Sequence, residues 1–313
     1  MATYLVTGGA GFIGSHIVEK LIETGEQVRV IDNLTTGHLA NLEAVRDRIT
    51  FAEADIRELE KIRPLFEGAD YVIHLAAYTS VIRSIENPLL ANDVNIGGTL
   101  NVLVAARDAR VKRVVFAGTA AVYGDNPVMP RVETQEPRPL SPYALTKLTG
   151  EYYCRIFTDL FGLEAVTLRL FNIFGPRQNP NRALGKFITA HLEGTAPTIF
   201  GDGEQSRDFT YVSNVVDAAL RACKAPDAGG KAINVGAGRS TTINQAVALL
   251  REIFGKGTRP QHTAPQPGDV RQSEADVSLA RRLLGYEPLV SFEEGLKLTV
   301  DWYRSCPNDG PHA

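Results

Sequence analysis

Tyr143 and Lys147 stand four residues apart in the segment Ser141-Pro142-Tyr143-Ala144-Leu145-Thr146-Lys147. Residues at i and i+4 share one face of a helix. Serine followed by proline suits a helix start, with Ser141 as cap and Pro142 in the first turn. Tyr143 then lies at the helix entrance and Lys147 one turn behind it. A free tyrosine titrates near about 10. A neighbouring ammonium and a cationic oxidised cofactor are both expected to stabilise the phenolate, giving a base usable near neutrality. Such a base takes a proton from a hydroxyl while a hydride leaves the same carbon. Thr119, in Gly118-Thr119-Ala120-Ala121-Val122-Tyr123-Gly124, offers a second hydroxyl to pass or hold that proton.

A Tyr-x-x-x-Lys pair is common on amphipathic helices. What singles this one out is an N-terminal loop, Gly8-Gly9-Ala10-Gly11-Phe12-Ile13-Gly14, between an apolar strand pattern and a helical one. Bare backbone at Gly8 and Gly11 lets the chain turn sharply and lets a pyrophosphate approach the helix start at Phe12 and Ile13. Unpaired N–H groups and the helix dipole favour an anion there. Gly14 permits close helix–strand packing. Asp32, followed by Asn33, ends the second apolar run, where a carboxylate can accept bonds from both ribose hydroxyls of an adenosine. A 2′-phosphate would meet that charge and no arginine follows at once, so NAD is expected rather than NADP. Asp55 and Ile56 are candidates to flank the adenine. Leu75, Ala76 and Ala77 offer small residues at a strand end for close approach to the cofactor, and Asn95 is a candidate anchor for that region.

The elements that must position these residues read as alternating strands and helices. Apolar runs at 4–7, 28–31, 50–52, 71–75, 114–117 and 165–170 are separated by amphipathic stretches such as 13–24. That alternation predicts right-handed crossovers and a parallel sheet covered on both faces. Thr119 then falls at a strand's C-terminal end, where ligands bind in open α/β sheets. The expectation is a Rossmann-type, doubly wound α/β domain over 1–175. A smaller C-terminal α/β lobe over 176–313 follows, with elements from about 208–240 returning to the sheet. After Gly175-Pro176 the segments become shorter and richer in Gly and Pro, and the tail from Pro307 is expected to fray.

Bulk properties exclude several alternatives. The chain has 313 residues, a net charge of -3 and 22% charged residues. No basic field advertises a nucleic-acid partner, so any phosphate is held locally. The apolar runs read as too short for a membrane span, and no basic leader precedes the first strand. Three scattered cysteines, Cys154, Cys223 and Cys306, suit a reducing, cytoplasmic setting. The six histidines show no metal-ligand spacing.

Taken together, the motifs resemble the NAD-dependent sugar-nucleotide epimerase/dehydratase family, the extended short-chain dehydrogenase/reductases. The likeness extends to 169–178 (Arg-Leu-Phe-Asn-Ile-Phe-Gly-Pro-Arg-Gln), 201–209 (Gly-Asp-Gly-Glu-Gln-Ser-Arg-Asp-Phe), 234–236 (Asn-Val-Gly) and 267–271 (Pro-Gly-Asp-Val-Arg), and so covers nearly the whole chain. It implies that Tyr143, Lys147 and Thr119 are catalytic and that the lobe binds a UDP-sugar. Members that eliminate or decarboxylate carry an acid just after the catalytic hydroxyl. Ala120 and Ala121 stand there, and an alanine cannot donate the proton needed to expel a hydroxyl. Oxidation and re-reduction at one carbon remain, which the resemblance equates with 4-epimerisation of a UDP-hexose. The resemblance also implies that Asn172 and Arg207 contact the diphosphate, and that Phe200 lies near the uracil. It places Asp269, Arg271 and Ser273 beside the substrate. Many members have an arginine where Gln266 stands, and Arg271 is expected to compensate. A tyrosine at the position of Ser273 would restrict the pocket to glucose and galactose, so Ser273 predicts room for an N-acetylated sugar. Helices near 89–107 and 142–161 resemble the family's dimer-forming pair, which implies a homodimer. Two rivals are a net sugar-nucleotide dehydrogenase, which would accumulate NADH, and an NAD-binding sensor without turnover, which would be expected to lack the Tyr/Lys pair.

Overall fold

A computed structural model describes residues 1–255, 258–265 and 270–305. Gln266, Asp269, Cys306 and the tail from Pro307 lie outside the described residues. Strand β1 (Thr3–Thr7) leads to helix α1 (Phe12–Glu23), followed by β2 (Gln27–Asp32) and β3 (Ile49–Glu53). Helix α2 (Leu59–Ile62) and β4 (Tyr71–His74) come next. Then follow α3 (Val81–Glu86), α4 (Pro88–Asn92), α5 (Thr99–Asp108), β5 (Arg113–Thr119), α6 (Pro142–Phe161) and β6 (Glu164–Leu170).

These residues choose parallel strands because their side chains are apolar on both faces. Leu5, Val6, Val28, Val30, Val72, Ile73, Val114, Val115 and Val166 are all buried. A sheet buried on both sides needs helices on both sides. Helix α1 turns Ile17, Val18, Leu21 and Ile22 inward, one apolar stripe at helical spacing. Helix α6 is bounded as its sequence dictates. Ser141 Oγ accepts the Ala144 N–H at 3.2 Å, Pro142 opens the first turn, and Gly162 closes the helix at φ +69°.

Between α4 and α5 the chain stays helical but widens into a π turn over Asp93–Gly98. The run Pro88–Asp108 is therefore one helix of 21 residues, long and apolar enough to cross a membrane by length and composition. The helix expected near 89–107 is thus present, with the π turn inside it. The helix belongs to the fold's own layers: its Ala91, Asn95, Val102, Leu103, Ala105 and Ala106 are buried.

Beyond β6 the chain forms β7 (Ile173–Phe174), α7 (Ala183–Glu193), β8 (Thr198–Phe200), β9 (Ser206–Arg207) and β10 (Thr210–Tyr211). Helix α8 (Val212–Lys224) then packs beside α1, and β11 (Ala232–Val235) pairs in parallel with β6. The main sheet is thus seven-stranded, in the order β11-β6-β5-β4-β1-β2-β3, every pairing parallel. Strand order reverses between β1 and β4, the point where a Rossmann-type sheet opens a crevice. The lobe is completed by β12 (Thr241–Thr242), α9 (Ile243–Phe254), β13 (Gln261–Thr263), α10 (Ser278–Leu284) and α11 (Phe292–Ser305). It has its own core of Phe174, Leu184, Phe187, Ile188, Ile199, Phe209, Ile243, Leu250, Phe292 and Leu296. A latch joins the segment after β7 to α1. Arg177, at φ +68°, bonds both carboxylate oxygens of Glu19 (2.9 and 2.6 Å), and His16 Nε2 meets the Pro176 carbonyl at 3.0 Å.

Candidate active site

The glycine loop lies at the switch point. Gly8 follows β1 at φ +71°, and a Cβ there would come within 2.7 Å of the Ala76 backbone nitrogen. A Cβ on Gly14 would strike the Gly8 carbonyl. The turn after β1 and the segment Leu75-Ala76-Ala77 after β4 therefore touch backbone to backbone, which only glycine at position 8 allows. Gly11 caps α1 without any side-chain acceptor and no acid occupies the first turn. The first N–H groups of the helix, at Phe12, Ile13 and Gly14, are left for an anion.

Asp32 is buried at the end of β2. Its Oδ2 accepts the Ala10 N–H and its Oδ1 the Leu34 N–H, both at 2.9 Å. An ionised carboxylate has about four acceptor positions, so two remain for ribose hydroxyls. Burial raises its pKa, with the Leu34 and Ala10 N–H groups pulling it down. Asp55 is already engaged: it pairs with Arg57 at 2.8 Å and accepts Asn33 Nδ2 at 2.9 Å. Those bonds, the Arg57 guanidinium first, hold its carboxyl at about 2. Ile56 is buried and packs against Gly98. Asn95, on the π turn, is 1% exposed and ties three groups together. Its Oδ1 accepts the Tyr78 N–H at 2.7 Å, while Nδ2 donates to the Tyr78 carbonyl at 3.1 Å and to Thr146 Oγ1 at 2.9 Å. It thus fixes the segment after β4 to α6. Open lone pairs on Asp32, a free helix N-terminus and a backbone cradle that any Cβ would fill together fit a dinucleotide.

Thr119 ends β5, and its Oγ1 accepts the Ala121 N–H at 3.2 Å. The same hydroxyl acts on the Tyr143 phenol, pulling its pKa down against the effect of burial. Tyr143 lies in the first turn of α6, its own N–H donated to Ser84 Oγ at 3.1 Å. Lys147 is buried one turn on, with Nζ 4.1 Å from the centre of the Phe116 ring. The electrostatics differ from the expectation that Lys147 depresses the tyrosine. Burial raises the Tyr143 pKa, and the groups that pull it down are the Thr119 hydroxyl and the Arg182 guanidinium. Lys147 is itself brought down to about 7, because its pocket is apolar. The protein's own groups therefore leave the phenol protonated, and the added positive charge expected of an oxidised cofactor is what remains to shift it.

The lobe residues are more dispersed. Asn172 is exposed, and its backbone carbonyl accepts the Thr210 N–H at 3.1 Å. Arg207, on β9, donates to its neighbouring Ser206 carbonyl at 2.8 Å. The neighbouring Asp208 is a structural acid: it is fully buried and accepts the N–H groups of Ala237, Gly238 and Ala275. Ser273 donates its N–H to the Ser206 carbonyl at 3.2 Å, which sets it beside β9 and so near Arg207. Phe200 is 38% exposed at the end of β8. Arg271 forms a two-pronged bond with Asp202, at 2.8 and 2.9 Å. Its guanidinium is occupied by that acid, so it reaches a phosphate only by giving up the pair.

Sequence reading missed Ser84, His74 and Arg182. Ser84 and His74 are buried polar residues in the fold and match no binding pattern. Arg182 comes from the other lobe, and spacing along the chain cannot bring it to Tyr143. Among the described residues no cluster of His, Cys, Asp or Glu could hold a metal ion.

A parallel sheet with a glycine turn at its switch point, an acid at the end of β2 and a Thr–Tyr–Lys cluster after β5 defines a dinucleotide-dependent enzyme of the short-chain dehydrogenase type. Residues 4–236 match the model of the NAD dependent epimerase/dehydratase family. A UDP-glucose 4-epimerase of Mycolicibacterium smegmatis is 38% identical over 308 residues, 96% of this chain and 98% of that one. Among solved structures, the UDP-glucose 4-epimerase of Thermotoga maritima with UDP-glucose superposes at a TM-score of 0.92. It has 42% identity and covers 96% of this chain and 98% of that one. The UDP-N-acetylglucosamine 4-epimerase of Methanobrevibacter ruminantium in complex with UDP-N-acetylmuramic acid reaches a TM-score of 0.93. Its identity is 39% and its coverage 97% and 98%. The chain belongs to the NAD dependent epimerase/dehydratase family, and its cofactor is NAD.

Proposed function

We propose that this protein is a UDP-hexose 4-epimerase that interconverts UDP-glucose and UDP-galactose. The observation that carries the reading is the Thr119–Tyr143 hydroxyl pair, followed by Ala120 and Ala121 where an eliminating enzyme needs an acid. Bound NAD, held by the glycine loop and Asp32, supplies the two-electron acceptor that takes up and returns the hydrogen on the sugar's C4. Tyr143 Oη takes the C4 hydroxyl proton, directly or through Thr119, and later returns it. Lys147 stands one turn behind the phenol on the apolar floor of Phe116, where burial brings the pKa of its ammonium down to about 7. Arg207, with Asn172, grips the diphosphate, since a guanidinium suits bidentate phosphate binding. The anchored 4-keto sugar turns over, and its other face is reduced. No cofactor is consumed.

A second reading is favoured by one residue. Ser273 is small and partly buried beside β9, which supports a pocket with room for a C2 acetamido group, and one of the similar structures is a UDP-N-acetylglucosamine 4-epimerase. The test is purified enzyme incubated separately with UDP-glucose, UDP-N-acetylglucosamine and UDP-glucuronate, with products resolved by NMR. The 4-epimer of UDP-glucose is expected. Turnover of the acetylated sugar alone would replace the first reading by the second, and net NADH accumulation would overturn both. We also infer a homodimer, because α6 leaves Leu145, Tyr152, Ile156 and Leu160 exposed in one stripe, alongside Ile82, Ile85 and Leu89. A cytoplasmic home is proposed on the buried free thiols of Cys154 and Cys223.

A further inference from the structure

His74 ends β4 and is 1% exposed. Its ring lies between two threonine hydroxyls, with Nδ1 2.6 Å from Thr7 Oγ1 and Nε2 3.0 Å from Thr99 Oγ1. A neutral imidazole offers one donor and one acceptor, and here both nitrogens are used. Burial and the Lys147 charge push its pKa far down, to about 3, so the ring stays neutral. Thr7 Oγ1 also accepts the Ala76 N–H at 3.3 Å, and the Thr7 carbonyl accepts the Leu75 N–H at 3.1 Å. Thr7 is therefore the peg between the end of β1 and the segment after β4. That junction is the one where the backbones of Gly8 and Ala76 touch. On its other side His74 lies against Phe116, ring centres 5.6 Å apart, and Phe116 is the ring beneath Lys147.

We propose that His74 is a positioning residue for the cofactor crevice: through Thr7 it sets the Ala76 wall against the glycine turn, and through Phe116 it steadies the floor under Lys147. It does so from within the core, through these neighbours. Two surfaces that meet the cofactor, the wall and the lysine, are thereby referred to one buried ring. An error of an ångström in either misaligns the reacting atoms without closing the sugar site.

The experiment compares wild type with His74→Phe, which keeps a ring and removes both polar contacts. Two quantities are read per folded molecule: NAD retained after exhaustive desalting together with its Kd, and the split between kcat and the sugar KM. NAD affinity is expected to fall by about tenfold or more and kcat by at least as much, with KM within about twofold. Wild-type NAD affinity and kcat per folded molecule would overturn the proposal. If His74→Phe does not fold, Thr7→Val carries the test, since it removes only the hydroxyl that His74 and Ala76 share. The same pattern supports the proposal and wild-type values sink it. The kinetic arm rests on the 4-epimerase reading. Should wild type turn over no UDP-sugar, that reading fails, and the NAD arm still decides this one.

Discussion

At the scale of single residues, the proton-handling groups divide the work. In the proposed mechanism Tyr143 is the group without which no proton moves. Tyr143→Phe is expected to cut turnover by about a thousandfold or more while the protein keeps its NAD. Substantial residual activity, measured by NMR of the product, would refute the assignment. Lys147 makes a different prediction, about stability. In the unfolded chain its ammonium titrates at 10.5; in the NAD-free fold it titrates at about 7. Between those values the unfolded chain holds a proton that the fold does not, so stability rises with pH across the window. Below pH 7 both states are protonated and the contribution is flat. Urea unfolding of NAD-free protein at pH 7 and pH 9 should show a gain on the order of a few kcal/mol. Lys147→Met should remove that gain, and an equal gain in both proteins would clear Lys147 as its source. Tyr143, Lys147 and Thr119 were picked out by the Tyr-x-x-x-Lys spacing read together with the glycine loop, and the fold brings them to one end of the sheet. The direction of the charge effects was not legible, because spacing says nothing of the Phe116 ring under the ammonium or of Arg182 arriving from another lobe.

At the scale of elements, precision comes from joints between helices and strand ends. The start of α6 was readable from Ser141-Pro142, since caps act locally, and its stop is a left-handed glycine, Gly162. The π turn at Asp93–Gly98 was not readable, because its reason is a distant bond set. Asn95 reaches Tyr78 on one side and Thr146 on the other, and the widened turn carries the residue that does so. Asn95→Leu would remove all three bonds and leave buried groups unpaired. It is expected to cost about 2–4 kcal/mol, read as an earlier denaturation midpoint with an unchanged slope. A loss under about 0.5 kcal/mol would mean that water replaces the bonds and that the joint is not fixed by this side chain.

At the scale of the whole molecule, one prediction concerns the surface and one the path of the chain. The stripe on α6 should hold two copies together, so Ile156→Asp with Leu160→Glu is expected to yield monomers by sedimentation. A wild-type protein that already sediments as a monomer would refute the dimer outright. The other concerns β11. The chain leaves the sheet after β6, builds much of the lobe, and supplies the seventh strand only at Ala232–Val235. A growing chain cut at Gly175 has every residue of the glycine loop and the Thr–Tyr–Lys cluster, yet β6, with its Val166 and Leu168, is then a bare sheet edge. Arg113 also loses the Ala222 and Ala225 carbonyls that it bonds in the full chain. Expressed alone, residues 1–175 are expected to aggregate, as unpaired apolar edges do, and a soluble, NAD-binding fragment would refute this. The nucleotide-binding half is therefore finished late in synthesis, after the lobe's first strands have emerged. Any loss of the lobe's central segment strips the cofactor site of its supporting edge, even though none of the cofactor's proposed contacts lies there.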